Sequence, residues 1–168
     1  MNTTHKLHIF DMDGTILDSM PMWSTIASDY LDSYDIPHDD DVNKLIEAYT
    51  LENAAKYFIE LGLDKTIYDI IKDIYDFSFN KYKNEIPAKP DMAELLKKLH
   101  ETGETIILLS ASPVQCAVAA FKRLNILEYF DKLFSCQDFE TDKTVPETFI
   151  NVAASLGFKP EDAIVYED

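Results

Sequence analysis

The apolar positions of this chain change their period as the sequence is followed. Lys6 to Phe10 forms a short apolar run that ends in two acids one residue apart, Asp11 and Asp13, with Gly14 and Thr15 directly after. A run of this length bounded by turn residues predicts a strand. From Asp18 to about Lys83 the spacing lengthens to three and four residues. Met22, Trp23, Ile26, Tyr30 and Leu31 share one stripe, and Ile67, Ile70, Ile71, Ile74 and Phe77 another, the signature of helices. Asp39 to Asp41 stand where a helix N-terminus favours negative charge. Thr50 is placed to cap a helix that runs to about Leu61 and stops at Gly62. No strand pattern interrupts this region, so it predicts a small helical bundle.

The prolines of IPAKP, Ile86 to Pro90, end the helical stretch. Beyond them the pattern alternates. A helix is predicted over Asp91–His100, a strand over Thr105–Leu109, a helix over Val114–Leu124 and a short strand over Lys132–Ser135. A helix over Glu147–Leu156 and a strand over Ala163–Tyr166 complete the chain. Strands alternating with helices predict a parallel sheet with right-handed crossovers. The fold class is therefore α/β: a Rossmann-like parallel sheet core, residues 1–16 and 88–168, with an α-helical bundle cap, residues 17–87, inserted after the first strand. No internal repeat or low-complexity tract is present.

Composition narrows the function. The 168 residues, 46% of them hydrophobic, suit one globular domain or a core with an insertion. A formal charge of -16, from 31 acidic and 15 basic residues, argues against nucleic acid or an anionic membrane as partner. It also means that an anionic substrate needs a metal ion or a dedicated cation to approach. Part of the acidity is local, since Asp29 to Asp41 holds six aspartates and no Lys or Arg; a solvated face is the ordinary reading of such a run. Cys116 and Cys136 show neither a metal-binding nor a disulfide spacing, and the four histidines are scattered. No signal-peptide pattern or transmembrane-length apolar run occurs, so a cytoplasmic protein is expected.

In an open parallel sheet, ligands collect at the carboxyl ends of the strands. The first predicted strand ends in Asp11 and Asp13, the second in Ser110, and the last in Glu167 and Asp168. Lys143 lies in the connection after the third. Each has an ordinary explanation when taken alone. Asp13–Gly14 suits a turn, Ser-Ala-Ser-Pro a helix cap, Lys143 a solvated surface, and Glu167–Asp168 a polar strand end. Their conjunction on one edge is better explained by a single phosphoryl-transfer site.

Four motifs carry a resemblance: FDMDGT at Phe10–Thr15, LLSASP at Leu108–Pro113, DKTVPETF at Asp142–Phe149 and IVYED at Ile164–Asp168. In these the chain resembles the haloacid dehalogenase-like hydrolase superfamily, in its helical-cap branch of phosphatases and beta-phosphoglucomutase-like enzymes. The resemblance implies Asp11 as nucleophile and Asp13 as general acid/base, with Ser110 and Lys143 holding the phosphoryl group. It implies Mg2+ as cofactor, held by Asp11, the backbone carbonyl of Asp13, and Asp168. Backbone N–H groups of Ala111 and Ser112 are candidate phosphate donors at the start of the next helix. Glu167 is expected beside the metal ligands rather than among them. The chemistry is self-consistent. A carboxylate attacking phosphorus divides one difficult displacement into two, side chains two apart on an extended segment face the same way, and Mg2+ prefers oxygen ligands.

The implied function is a magnesium-dependent phosphatase that hydrolyses a small phosphorylated metabolite, such as a sugar phosphate, through an aspartyl-phosphate. A dehalogenase would leave Asp13 idle. The alternative is a beta-phosphoglucomutase-like phosphomutase, but Trp23 stands where such an enzyme has a histidine, and Ala48–Asn53 offers Leu51 and no arginine. Met20, Trp23, Tyr49 and Leu51 are candidate cap or substrate residues, with bundle core as their other reading. The insertion is expected to act as a lid hinged near Leu17–Ser19 and Ile86–Pro90. Family members continue past the position of Asp168, so the core is expected to be C-terminally truncated. A catalytically impaired fragment or a regulatory module that binds metal or phosphometabolite is the reading from another class. Oligomeric state is not legible.

Overall fold

The computed structural model describes residues 5–139 and 143–168. The N-terminal residues 1–4 and the first residue of the third motif, Asp142, therefore lie outside the described residues. The chain divides into two compact units, Met1–Ser19 with Tyr82–Asp168, and Met20–Lys81.

The first unit is built on parallel strands. β1 (Leu7–Phe10) is flanked on one side by β2 (Thr105–Ser110) and on the other by β4 (Ala163–Tyr166), with β3 (Lys132–Ser135) beyond β2. Phe10 is in register with both Leu108 and Tyr166, and Ser110 with Ser135, so the carboxyl ends of all four described strands lie along one edge. β1, with a strand on either side, is buried along its whole length. β4, at the edge, leaves Ile164 and Val165 exposed. Leu7 and Ile9 of β1, with Ile107 and Leu109 of β2, form one core face, covered by Val152 and Ala153 of a helix over Pro146–Ser155. A period of two places His8 and Phe10 on the opposite face. There Tyr166 stacks on Phe10 with ring centroids 4.1 Å apart and planes within 5°.

The second unit holds five helical segments: α1 (Met20–Trp23), α2 (Ile26–Asp32), α3 (Val42–Ile46), α4 (Leu51–Glu60) and α5 (Ile67–Asn84), the last of which runs on into the first unit. Its core gathers Tyr30, Leu31, Ile70 and Ile74, from the stripes whose spacing predicted helices, together with Phe58 of α4. Thr50 caps α4 by accepting from the Asn53 N–H, and Gly62 follows its end at φ +111°. Asp41, the residue before α3, makes no side-chain cap bond. The first unit resumes with α6 (Met92–Glu101) and α7 (Val114–Leu124), and the helix over Pro146–Ser155 is α8.

The limits of the helical unit, Met20 and Lys81, are narrower than the 17–87 read from the sequence. Backbone pairing explains the difference. The Asp18 N–H donates to the Pro87 carbonyl and the Lys89 N–H to the Ile16 carbonyl, at 2.9 and 2.8 Å, with a bridge between Leu17 and Ala88. The two connecting segments thus hold each other within the sheet-bearing unit. Among the described residues, no helix is long and apolar enough to cross a membrane.

Candidate active site

Strand register brings most of the expected residues together. Asp11 follows β1 and is 5% exposed, and its N–H donates to the Tyr166 carbonyl of β4. That bond carries the β1–β4 pairing one residue further and sets Asp11 beside the segment that bears Glu167 and Asp168. Carboxylate oxygens of Asp11, Glu167 and Asp168 all lie within 4.8 Å of one another. The Lys143 ammonium, arriving from the connection after β3, pairs with Asp11 Oδ1 and lies 3.1 Å from Glu167 Oε1.

The electrostatics follow from burial. Desolvation raises the pKa of the Asp11 carboxyl; the hydrogen bond and charge of Lys143 oppose this, and the Asp13 carboxylate adds to it. Glu167 is raised too, by burial first and then by Asp11 and Asp168, again with Lys143 in opposition. For Lys143, burial favours the neutral amine, but hydrogen bonds and charge from Asp11 and Glu167 outweigh it and hold the proton on. The site is a partly desolvated cluster of acids with one cation set into it. Gly14 makes the approach of Asp168 possible: it sits at φ +82°, and a Cβ there would run into the Asp168 carboxylate.

Asp13 is held separately. Its Oδ1 accepts hydrogen bonds from Ser19 Oγ at 2.7 Å and the Tyr82 hydroxyl at 2.5 Å, and its Oδ2 from Ser112 Oγ at 2.6 Å. Ser110, the last residue of β2, is buried, and its Oγ accepts from the Ser112 N–H at 3.0 Å. One detail departs from the sequence reading. The Ser112 N–H, expected as a phosphate donor, is engaged within its own turn, because the residues before Pro113 fold back on Ser110 ahead of α7. The Ser112 side chain contacts Asp13 instead. Glu167, expected beside the metal ligands, has a carboxylate oxygen within 4.8 Å of those of Asp11 and Asp168. Ala111 borders an open cavity of about 770 Å³ that Lys143 and Glu167 also line.

Of the candidate cap residues, Trp23, Tyr49 and Leu51 line a single cavity of about 320 Å³ within the helical unit, together with Asn43, Glu47 and apolar side chains. Met20 is not among its lining residues and is exposed. Ser19 and Tyr82 were missed from the sequence. Ser19 had a weak signal in its closeness to the first motif, whereas Tyr82, 69 residues from Asp13, had none.

Residues 8–168 match the family model described as haloacid dehalogenase-like hydrolase. The Phosphorylated carbohydrates phosphatase of Thermotoga maritima is 23% identical over 161 residues, an alignment spanning 95% of this chain and 74% of that protein. Hexitol phosphatase B of Escherichia coli is 24% identical over 167 residues, spanning 95% and 73%. Two solved structures share the fold. A candidate beta-phosphoglucomutase from Thermotoga maritima superposes with a TM-score of 0.81 at 22% identity, over 95% of this chain and 74% of that one. CbbY from Rhodobacter sphaeroides, in complex with phosphate, gives 0.73 at 16% identity, over 96% and 77%.

Proposed function

Because the chain belongs to the haloacid dehalogenase-like hydrolase family, we propose that its strand-end cluster is the active site of a magnesium-dependent phosphatase acting on a small phosphorylated metabolite, through an aspartyl-phosphate on Asp11. One observation carries the reading: Lys143 is paired with Asp11 Oδ1 inside a cluster of carboxylates. A phosphoryl group delivered to Asp11 therefore meets a cation at its own oxygens. The relatives named phosphatases of phosphorylated carbohydrates and hexitols make a sugar or sugar-alcohol phosphate the favoured substrate class.

In the proposed reaction an Asp11 carboxylate oxygen attacks phosphorus, forming an acyl-phosphate (mixed anhydride) bond as the bond to the leaving oxygen breaks. Asp13 gives that oxygen a proton. Asp13 then takes a proton from water as the water attacks the aspartyl-phosphate, which releases inorganic phosphate and restores Asp11. General acid/base help of this kind is worth about 10²–10⁴-fold. Lys143 acts as a point charge on one phosphoryl oxygen, and Ser110 stands at the same strand edge as a hydroxyl donor.

The donor set fits magnesium, being all oxygen, with the oxygens of Asp11, Glu167 and Asp168 within mutual reach and Gly14 lacking the Cβ that would displace Asp168. Asp11 and Asp168, with the Asp13 carbonyl, would hold the ion, and Glu167 would support them. Bound there, it would supply positive charge for the phosphoryl oxygens that a chain of net charge -16 otherwise repels.

A phosphatase is preferred to a bisphosphate-primed mutase because Trp23 stands where such an enzyme has a histidine and residues 48–53 hold no arginine. The test is a panel of sugar, sugar-alcohol and glycerol phosphates with and without Mg2+. Metal-dependent release of phosphate is expected, with a fall of about 10³-fold or more in Asp11→Asn. Undiminished hydrolysis by Asp11→Asn would remove the nucleophile assignment.

A further inference from the structure

We propose that Tyr82 is a positioning residue for Asp13, setting the direction in which that carboxyl delivers its proton. The inference rests on the reading of Asp13 as the acid/base. The torsion that orients a carboxylate is broad and weakly preferred, yet a general acid must reach the leaving oxygen at about 2.6–3.2 Å. Both oxygens of Asp13 are engaged, by Ser19 and Tyr82 on Oδ1 and by Ser112 on Oδ2. The three donors differ in how firmly they are placed. Ser19, itself fully buried, and Ser112 reach from loops on short side chains, so what sets Tyr82 apart is its large rigid ring rather than burial alone. Tyr82 is 1% exposed and among the largest fully buried side chains, so core packing fixes its ring and the rigid ring fixes its hydroxyl.

The backbone that carries Tyr82 is fixed as well. Tyr82 lies in the last turn of α5, where helix carbonyls lack intrahelical partners. Arg123, in the last turn of α7, donates through Nη2 to the Tyr82 carbonyl at 3.1 Å and to the Ile86 carbonyl. A chain of contacts thus runs from Arg123 through the Tyr82 main chain and ring to Asp13 Oδ1. The division between the two units falls immediately before Tyr82 and immediately after Ser19. The two residues that bind Oδ1 are therefore the last of the sheet-bearing unit before the chain leaves it and the first after the chain returns.

Tyr82→Phe removes one oxygen and keeps the ring, so the core packing is retained. A merely structural residue would affect all substrates alike, whereas a residue that aims the acid matters in proportion to the leaving group's need for a proton. With a sugar phosphate, whose alkoxide must be protonated, Tyr82→Phe is expected to lower kcat about 10- to 100-fold and leave KM within about twofold. With p-nitrophenyl phosphate, which leaves as a stable phenolate, turnover should stay within about threefold of the parent. Equal losses on both substrates, or none on either, would overturn the proposal. The ¹³C resonance of the Asp13 carboxyl gives a reading independent of turnover. It is expected to move in Tyr82→Phe and stay in place in Tyr75→Phe, a change at an exposed ring. A resonance unmoved by Tyr82→Phe overturns the inference. A parent chain that turns over neither substrate in the presence of Mg2+ overturns the phosphatase reading instead, and the resonance still decides whether Tyr82 holds Asp13.

Discussion

At the scale of single residues, His8 shows what sequence position alone does not convey. It is 5% exposed in the middle of β1, its Nδ1 lies 2.9 Å from the Tyr166 hydroxyl, and its ring stacks on the Tyr166 ring. Burial lowers its pKa from the ordinary 6.5, the Glu104 carboxylate 3.9 Å from Nε2 pulls it back up, and His5 lowers it slightly further. The folded chain therefore favours the neutral ring. Above pH about 6.5 neither folded nor unfolded chain carries the proton, and the stability is complete. As pH falls through that value the unfolded chain binds it first, and stability is lost towards the lower folded-state pKa. Urea unfolding from pH 7 down to about 5 should thus show a steeper loss in the parent than in His8→Gln. His38, partly buried and shifted upward by the Asp39 carbonyl and by Asp32, has the opposite sign and is common to both chains. Equal slopes would show that His8 is not the group responsible. The acid pair after β1 was legible in the sequence only together with Ser110, Lys143 and Glu167–Asp168 at the other strand ends, since alone it suits a turn. His8 read as one of four scattered histidines, since its burial depends on strands remote in the chain.

At the scale of elements, α2 and α3 are seven and five residues long, too short to persist by themselves. What joins them is Asn43, whose Oδ1 accepts from the Ala27 and Ser28 N–H groups, both at 3.1 Å, and whose Nδ2 donates to Ser28 Oγ at 2.8 Å. A side chain on α3 thereby satisfies amides of the first turn of α2, where helix N–H groups lack intrahelical partners. Asn43→Ala strips those amides of their acceptor and should cost about 1–3 kcal/mol. Faster hydrogen exchange at Ala27 and Ser28 is the accompanying sign, and unchanged exchange there would place the loss elsewhere. The local cap at Thr50 was legible because its partner is three residues away. The Asn43 cap was not, because its acceptors' partners lie 15 and 16 residues distant.

For the whole molecule, charge is the dominant long-range feature. A net -16 on 168 residues places like charges within reach of one another at low salt, where the screening length is about 30 Å in 0.01 M salt against about 8 Å in 0.15 M. Raising NaCl over that range should raise the thermal midpoint by a few degrees, since self-repulsion disfavours the compact state. At matched ionic strength MgCl2 should raise it further, because an ion bound only by the folded chain adds stability as its concentration rises above Kd. Identical midpoints in the two salts would count against a specific site at Asp11, Glu167 and Asp168. Scanning calorimetry makes both comparisons.

The sequence by itself determined the order of strands and helices, the placing of a helical insertion between two parts of a sheet, and the family motifs at the strand ends. Apolar period, turn residues and strand-end chemistry are local properties, and strand register then carries those ends to one edge. Only the tertiary structure decided which groups face Asp13, how far the helical unit extends, and that Lys143 lies between Asp11 and Glu167. Those depend on contacts between residues far apart in the chain, such as Tyr82 with Asp13, Arg123 with the Tyr82 carbonyl, and Asp18 with Pro87. Such pairings arise when packing brings a buried ring or an unpaired carbonyl to a partner, and they leave no periodic trace in the residues between.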